Sequence, residues 1–283
     1  MTIDNLNPTL WVGRLLANLN DMHLYKKGFN TDYEGEIRAK GDAVKINSIG
    51  RVTVSTYTKN STISAPETLD DAQQILRITE SDYFNFEIDD VDKAQQTPKI
   101  MEAAMFEAAW ALADATDSFL AGELEAGVQT ANILTAATSV GTGPTDDDAY
   151  EILVDLGVRL DENNVPDVAR YVFVPPWYHG VLRKDNRFAS FGTDKNRANL
   201  RGAPIGEAAG FTVYRSNNVP VSGSAYTIIA GYTGAATFAA QIDKVEPFRP
   251  PDTFSDAVKG LHLYGAKVTR PYALASVVAT QAT

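Results

Sequence analysis

Residues 97–125, TPKIMEAAMFEAAWALADATDSFLAGELE, predict a long helix around which the rest of the chain is arranged. Thr97 can cap its first turn, and Pro98 suits the first helical position, where a missing amide hydrogen loses no helical partner. Two apolar stripes follow at helical spacing. One comprises Met101, Met105, Ala108, Leu112, Ala115 and Phe119, and the other comprises Phe106, Trp110, Leu120 and Leu124. At 1.5 Å per residue the helix is about 40 Å long, and its two stripes predict that it lies between two layers.

Two strand-like segments precede this helix, at residues 44–57 and 75–88. In the second segment, period-two alternation places Phe84 and Phe86 on one face. Paired as a hairpin, two strands of about 14 residues would extend about 45 Å, and an isolated two-stranded ribbon is marginally stable at best. We therefore predict that the ribbon lies on another chain and that Phe84 and Phe86 are contact residues.

Residues 1–41 predict an arm that begins with a helix. Asn7 can cap this helix, Pro8 occupies its first position, and Trp11 and Leu16 belong to its apolar stripe. Two interpretations stay open. The helix docks on its own domain, which composition favours slightly, or it docks on a neighbouring subunit, in which case Trp11 and Leu16 are contact residues.

Residues 145–230 predict an α/β unit, because strands and helices alternate there. A helix is expected from about residue 146, since Thr145 and Asp148 have the spacing of a capping box. The further predicted elements are a strand at 171–174, a short helix at 177–184 and strands at 211–215, 226–230, 237–247 and 261–275. The predicted fold class is α+β.

The composition is that of an acidic, folded protein. Apolar residues make up 44% and charged residues 22% of the 283 residues, which is ordinary globular usage. The net charge of −11 disfavours a dedicated reader of nucleic acids, because such a surface repels phosphate. The absence of cysteine excludes disulfides and thiolate chemistry. Neither a signal peptide nor a run of ~20 apolar residues is present, so we expect no contact with a membrane.

The sequence offers few groups for catalysis or for binding a metal. Its three histidines, His23, His179 and His262, lack the spacing of metal ligands. Three consecutive carboxylates at residues 146–148 suit a helix start better than a divalent cation, because they complement the helix dipole and lack the EF-hand spacing. Nucleophile-elbow, Walker A and dinucleotide-binding motifs are missing. We therefore predict no catalytic residue, no metal, no cofactor and no enzyme activity.

Residues 183–201 depart from the acidic average. Six basic residues against two acidic ones give this segment a local charge of +4 and leave −15 on the rest of the chain. The contact candidates within it are Arg183, Arg187, Arg197 and Arg201. The segment is a solvated loop, a contact with an acidic face of an identical neighbour, or a contact with enclosed nucleic acid. A short basic loop on an acidic protein favours the neighbour over the nucleic acid.

Three phrases of the sequence carry a resemblance to a known family. They are VFVPPWYHGVLRKDNRF at 172–188, RGAPIGEAAGFTVYRSNNVP at 201–220 and LYGAKVTRP at 263–271. Together with the order of arm, ribbon, long helix and α/β unit, they resemble the major capsid proteins of tailed bacteriophages, which have the Hong Kong 97 type coat fold. The resemblance covers nearly the whole chain.

The resemblance implies a division into four parts. These are an N-terminal arm at 1–41, an extended β-hairpin loop at 42–92, a peripheral domain at 93–144 and 231–283, and an axial domain at 145–230. It also implies an icosahedral phage head, built from hexamers and pentamers, that encloses double-stranded DNA without reading its sequence. A separate scaffolding protein, a portal and a decoration protein are the other partners implied. The protein would be made in the host bacterial cytoplasm and reside in the virion.

Two alternative functions stay open beside this interpretation, and covalent cross-linking of subunits is a further expectation. An encapsulin-like nanocompartment shares the coat fold but encloses enzymes, and an α/β enzyme is supported by the alternation at 145–230 alone. Covalent cross-linking of subunits is known in the family, and Lys45 or Lys59 on the ribbon could supply the amine. The interpretation of both lysines as charges that keep an exposed strand edge soluble is favoured over cross-linking, because the sequence identifies neither an acceptor nor a catalytic carboxylate. The arm begins almost at once, so the chain is either a mature form or one served by a separate scaffold.

Overall fold

The fold is described by a computed structural model for residues 23–32, 43–49, 56–57, 59–60, 62, 71–89, 100–185, 206–253 and 255–282. The helices are α1 (Ile100–Gly127), α2 (Ala149–Glu162) and α3 (Pro176–Lys184). The strands are β1 (Ala43–Ile49), β2 (Asp71–Arg77), β3 (Glu80–Asp89), β4 (Ala137–Gly141), β5 (Asp147–Asp148), β6 (Arg170–Val174), β7 (Glu207–Ala208), β8 (Phe211–Arg215), β9 (Val221–Ser222), β10 (Ala225–Tyr232), β11 (Ala236–Phe248), β12 (Ser255–Val268) and β13 (Leu274–Gln281). A mixed sheet and antiparallel sheets, packed with helices, confirm the predicted α+β class.

The large sheet has eight strands in the order β5-β4-β13-β10-β6-β8-β7, with β9 paired to β10. Every residue of β6 is buried, as expected for a central strand covered on both faces. Helix α2 packs on this sheet through Leu153, Leu156 and Leu160, which are fully buried in the main core. The stripe predicted for this helix is therefore confirmed.

The start of α2 differs from the expected capping box. Asp148 is the N-cap, and its carboxylate accepts a hydrogen bond from the Tyr150 amide at 2.8 Å. Thr145 lies outside the helix, which begins at Ala149. The short side chain of Asp148 satisfies an amide that the first turn leaves without a helical partner, so the helix starts three residues later than predicted.

The small sheet has three antiparallel strands in the order β11-β12-β3. Strand β3 pairs with β12 along its whole length, from Glu80 opposite Tyr264 to Asp89 opposite Ser255. The prediction that residues 75–88 form one strand of a two-stranded ribbon is therefore wrong. The chain leaves the hairpin after Arg77, and β3 becomes an edge strand of the small sheet, where the backbone groups on one of its sides pair with β12.

The hairpin itself is formed by β1 and β2, which pair antiparallel from Ala43 opposite Arg77 to Ile49 opposite Asp71. One face of the hairpin is buried on the small sheet. It consists of Val44, Ile46, Leu76 and Ile78, which pack against Ala239 and Leu263. The approach is close at Gly265, where a Cβ atom would collide with the Arg77 carbonyl oxygen. The described part of the hairpin is thus anchored to its own chain.

The strand pairing crosses two of the predicted domain boundaries. Strands β4 and β13 were both assigned to the peripheral domain, yet they lie in the large sheet, where β13 pairs with β10 and with β4. The strand predicted at 261–275 is also two strands, because Pro271 begins a 3-10 turn between them and a proline cannot continue the ladder of a central strand. The large sheet therefore collects segments from three separate parts of the chain.

Helix α1 touches both sheets with different parts of its length. Met105 and Ala109, near its start, pack against the small sheet. Leu120 and Leu124, near its end, are fully buried in the main core beside the large sheet. The helix therefore joins the two sheets.

Within the described part of the chain, no helix is long and apolar enough to cross a membrane.

Candidate functional site

His179 and Asp146 are explained by burial and by local hydrogen bonds. His179 is buried, and burial, together with Arg215 and Arg183, lowers its pKa. Asp146 accepts hydrogen bonds from the Gly143 amide at 2.8 Å and from the Ser139 hydroxyl at 3.3 Å, so it closes a turn. Among the described residues, no group of three or more histidine and carboxylate side chains could hold a metal ion.

The second apolar stripe of α1 is covered at one end and exposed at the other. Leu120 and Leu124 are fully buried, whereas Phe106 is 49% and Trp110 is 54% exposed. With 3.6 residues per turn, Phe106 and Leu124 are five turns apart and face the same direction. The expectation that two layers clamp the whole helix therefore holds, among the described residues, for its C-terminal half.

A second exposed apolar area lies on the face of the small sheet that points away from α1. Tyr83 alternates with Phe84 on β3, so it projects to this face, and it is 77% exposed. A groove of about 440 Å³ adjoins it and is lined by Tyr83, Phe84, Asn85, Glu246, Lys259, Gly260 and Leu261. Lys259 pairs with Glu246 at 3.2 Å across this face. The area therefore combines an aromatic ring with a compact ion pair.

Phe84 and Phe86 have partners within their own chain, and their contact with a neighbour stays a prediction. Their rings stack with centroids 5.9 Å apart. Both pack on the cluster of Met105, Ala109, Val245 and Val258, where α1 covers the small sheet. The pairing of β3 with β12 carries these two rings beneath the helix, and Tyr83 is the residue of β3 that this pairing exposes.

Lys45 and Lys59 are both exposed. Lys45 lies directly opposite Ile75 on the outer face of the hairpin, and Ile75 is also exposed. Lys59 precedes Asn60, whose φ of 69° marks a tight turn. The two lysines are thus accessible to another chain, and their part in cross-linking stays a prediction.

Arg183 is the arginine contact candidate that lies within the described residues. Arg183 is exposed in the last turn of α3, where a positive charge complements the helix dipole. The remaining contact candidates lie outside the described residues. They are Trp11, Leu16, Arg187, Arg197 and Arg201.

Sequence reasoning missed the exposure of Phe106 and Trp110. The signal that could have indicated it is the second apolar stripe of the helix, which needs a cover along its whole length.

Comparisons with known proteins agree with the architecture. The family model described as phage capsid protein matches residues 77–277. A structure from Mycobacterium phage Che8 is 30% identical, covers 91% of this chain and 90% of its own, and has a TM-score of 0.71. The capsid structure of cyanophage P-SCSP1u is 16% identical over 92% and 87% of the two chains, with a TM-score of 0.69.

A more distant structure shares the fold as well. The crystal structure of a virus-like particle from Pyrococcus furiosus is 13% identical over 93% of this chain and 95% of its own, with a TM-score of 0.53. At this identity the likeness concerns the fold alone. No protein with a curated description is similar to the sequence.

Proposed function

Because the chain belongs to the phage capsid protein family and is a phage coat protein, we propose that its copies close into an icosahedral head of hexamers and pentamers. The observation that carries this proposal is the exposed N-terminal end of the second apolar stripe of α1. Phe106 and Trp110 are large, adjacent along the helix and half exposed, and aromatic residues of this kind are enriched at protein interfaces. A neighbouring subunit would cover these two rings, which the described residues of the chain leave exposed.

The hairpin is proposed as the element that reaches this neighbour. Its base is fixed to the small sheet, while Lys45 and Ile75 on its outer face are exposed. The connection between β1 and β2 runs from residue 50 to residue 70, which is long for a hairpin that needs two to five residues. We propose that this connection contacts an adjacent copy. The intersubunit loop then comprises residues 42–79, and β3 belongs to the small sheet.

The other parts follow as proposals from the same arrangement. Residues 1–41 are an arm, the small sheet with the first half of α1 is the peripheral part, and the large sheet with α2 and α3 is the axial part. The head encloses double-stranded DNA without sequence-specific binding, since a net charge of −11 limits adhesion to the cargo. A scaffolding protein, a portal and a decoration protein are further partners, synthesis takes place in the host bacterial cytoplasm, and the chain catalyses no reaction.

A nanocompartment that encloses enzymes is the second candidate, supported by the fold shared with the Pyrococcus furiosus particle. The family model and the 30% identical phage structure favour the head. Electron microscopy of particles purified from infected cells, with their nucleic acid measured by absorbance, separates the two. Shells filled with double-stranded DNA support the head, and shells that contain a co-purifying enzyme instead of DNA contradict it.

The exposed aromatic patch can be tested by Trp110→Glu, with Ala115→Glu as the matched control on another side of the same helix. Both positions are exposed, so both variants should fold and give parent-like circular dichroism. Trp110→Glu should abolish shells, because a carboxylate desolvated in an interface costs several kcal/mol. Ala115→Glu should assemble as the parent does. Sedimentation is the measurement, and normal shells from Trp110→Glu would exclude the patch as a contact.

A further inference from the structure

A buried group of titratable side chains fastens the segment of residues 23–30 to the rest of the fold. The Nδ1 atom of His23 lies 3.2 Å from the Asp117 carboxylate on α1, and the other oxygen of that carboxylate accepts a hydrogen bond from the Leu24 amide at 2.8 Å. His23 and Asp117 are 2% and 5% exposed. This contact holds the segment on the helix where the two sheets meet.

His262 on β12 faces the same site from the small sheet. Its ring centroid lies 6.5 Å from that of His23, and the side chain is 1% exposed. Its Nδ1 atom is buried with no hydrogen-bond partner among the described residues. A buried imidazole in this condition is tolerated as a neutral group but is costly as a cation.

The charges around His262 come from each element that packs there. The segment of residues 23–30 brings His23 and Lys26, and both lower the pKa of His262 in addition to burial. Strand β3 brings Asp82, which accepts a hydrogen bond from the Tyr264 hydroxyl at 2.6 Å. Helix α1 brings Asp117, already engaged by His23 and Leu24, and from β11 the ring of Phe238 lies against His23. The carboxylates of Asp82 and Asp117 thus accept hydrogen bonds from groups other than His262. The basic side chains of His23 and Lys26 disfavour a positive charge on His262.

We propose that His262, His23 and Asp117 form an acid-sensitive latch, which holds residues 23–30 on α1 at neutral pH and loosens that segment when His262 gains a proton. The proposal does not depend on the role of the chain in a capsid. Local opening of the segment removes His23 and Lys26 from the site and exposes His262 to water, so the opened form accepts the proton more easily than the closed one. Acid therefore favours opening of this segment.

The direction and size of the effect follow from proton linkage. Burial, followed by the charges of His23 and Lys26, lowers the pKa of His262 from an ordinary 6.5 to about 4. The stabilisation is therefore complete above pH 6.5 and is lost as the pH falls from 6.5 towards 4. If the opened form has the ordinary value, the opening equilibrium of the segment rises about 30-fold between pH 7.5 and pH 5.

Hydrogen exchange on the full chain tests the latch. Protection factors, which remove the intrinsic pH dependence of exchange, are measured at pH 7.5 and pH 5 for the amides of Leu24, Phe29 and Asn30, all hydrogen-bonded in the segment. We expect them to fall about 30-fold while those of β8 change by less than about 3-fold. Unchanged protection in the segment would overturn the proposal, and so would an equal fall in β8, because that would be global destabilisation.

Two variants and one titration isolate the histidine responsible. His262→Phe keeps a ring of similar size and removes the proton site, so protection of residues 23–30 should become nearly independent of pH. His179→Gln removes the other buried histidine whose pKa is lowered and should leave the 30-fold fall intact. If His262→Phe does not fold, the imidazole resonances of the parent decide the question. Titration of His262 near its ordinary pKa of 6.5 in the folded protein would overturn the latch.

Discussion

The large and small sheets differ in how much of their surface the described residues cover. In the large sheet, β6 is buried along its length, and Phe173 on that strand is fully excluded from solvent, as are Leu124 on α1 and Leu153 on α2, which pack in the same core. The small sheet has α1 on one face, while on its other face Tyr83 stands exposed beside a groove of about 440 Å³. The described residues therefore enclose the large sheet more completely than the small sheet, which keeps an exposed area around Tyr83.

The largest test of this difference compares two substitutions at equivalent angles on α1. Leu124→Asp places a carboxylate in the main core, where an unpaired charge costs several kcal/mol against a total stability of ~5–15 kcal/mol. We expect that variant to be insoluble or unfolded. Phe106→Asp, five turns earlier on the same side, should remain folded by circular dichroism. If both variants unfold, the exposed end of the helix is as essential to the subunit as the buried end.

A smaller effect is expected where the hairpin crosses β12. Gly265→Ala adds a Cβ atom against the Arg77 carbonyl oxygen, so the hairpin base must shift, at a cost of about 1–3 kcal/mol. Hydrogen exchange should show loss of protection in β1 and β2 and unchanged protection in β6. Gly122→Ala is the control, because no described atom lies within 4 Å of its added Cβ and a helical alanine adds up to ~1 kcal/mol of stability. Equal loss in β6 would mean that the two sheets unfold together.

The smallest effect on stability is expected from the loss of a single hydrogen bond beside the large sheet. The Tyr178 hydroxyl on α3 donates to the Ala149 carbonyl at the start of α2, at 2.7 Å. Tyr178→Phe should lower the free energy of unfolding by about 1 kcal/mol, because it leaves a buried acceptor without this donor. Tyr83→Phe on the exposed face should leave stability unchanged in the same denaturant titration. If Tyr83→Phe lowered the free energy of unfolding more than Tyr178→Phe does, the Tyr83 hydroxyl would contribute to the stability of the subunit despite its exposure.

Local pattern predicted the elements far better than it predicted their partners. The strand at Phe211–Arg215 was placed at its observed bounds, and α1 was placed within two residues of them. Pairing of β3 with β12 joins residues about 170 positions apart, and alternation along a strand carries no information about which strand lies beside it. The ribbon is therefore predicted too long, and the packing of Phe84 and Phe86 beneath α1 is not predicted.

The candidate site was predictable only in outline. The second stripe of α1 correctly marked Phe106 and Trp110 as apolar on a defined side, but coverage of that side depends on where the large sheet ends. The contact between His23 and Asp117 spans 94 positions, so spacing along the sequence could not reveal it. Both failures concern tertiary packing, which overrides local propensity wherever distant segments meet.

The position of β13 has a consequence for how the subunit acquires its fold. This strand lies between β10 and β4, and Ala279 pairs with Ala137. During synthesis β4 and β10 leave the ribosome first, and each carries an unpaired apolar edge until residues 274–281 have emerged. Contacts of such long sequence separation close slowly, and exposed strand edges promote aggregation during that interval. We therefore expect the subunit to be prone to aggregation until β13 has been synthesised, and a chaperone present during that interval should raise the yield of soluble protein.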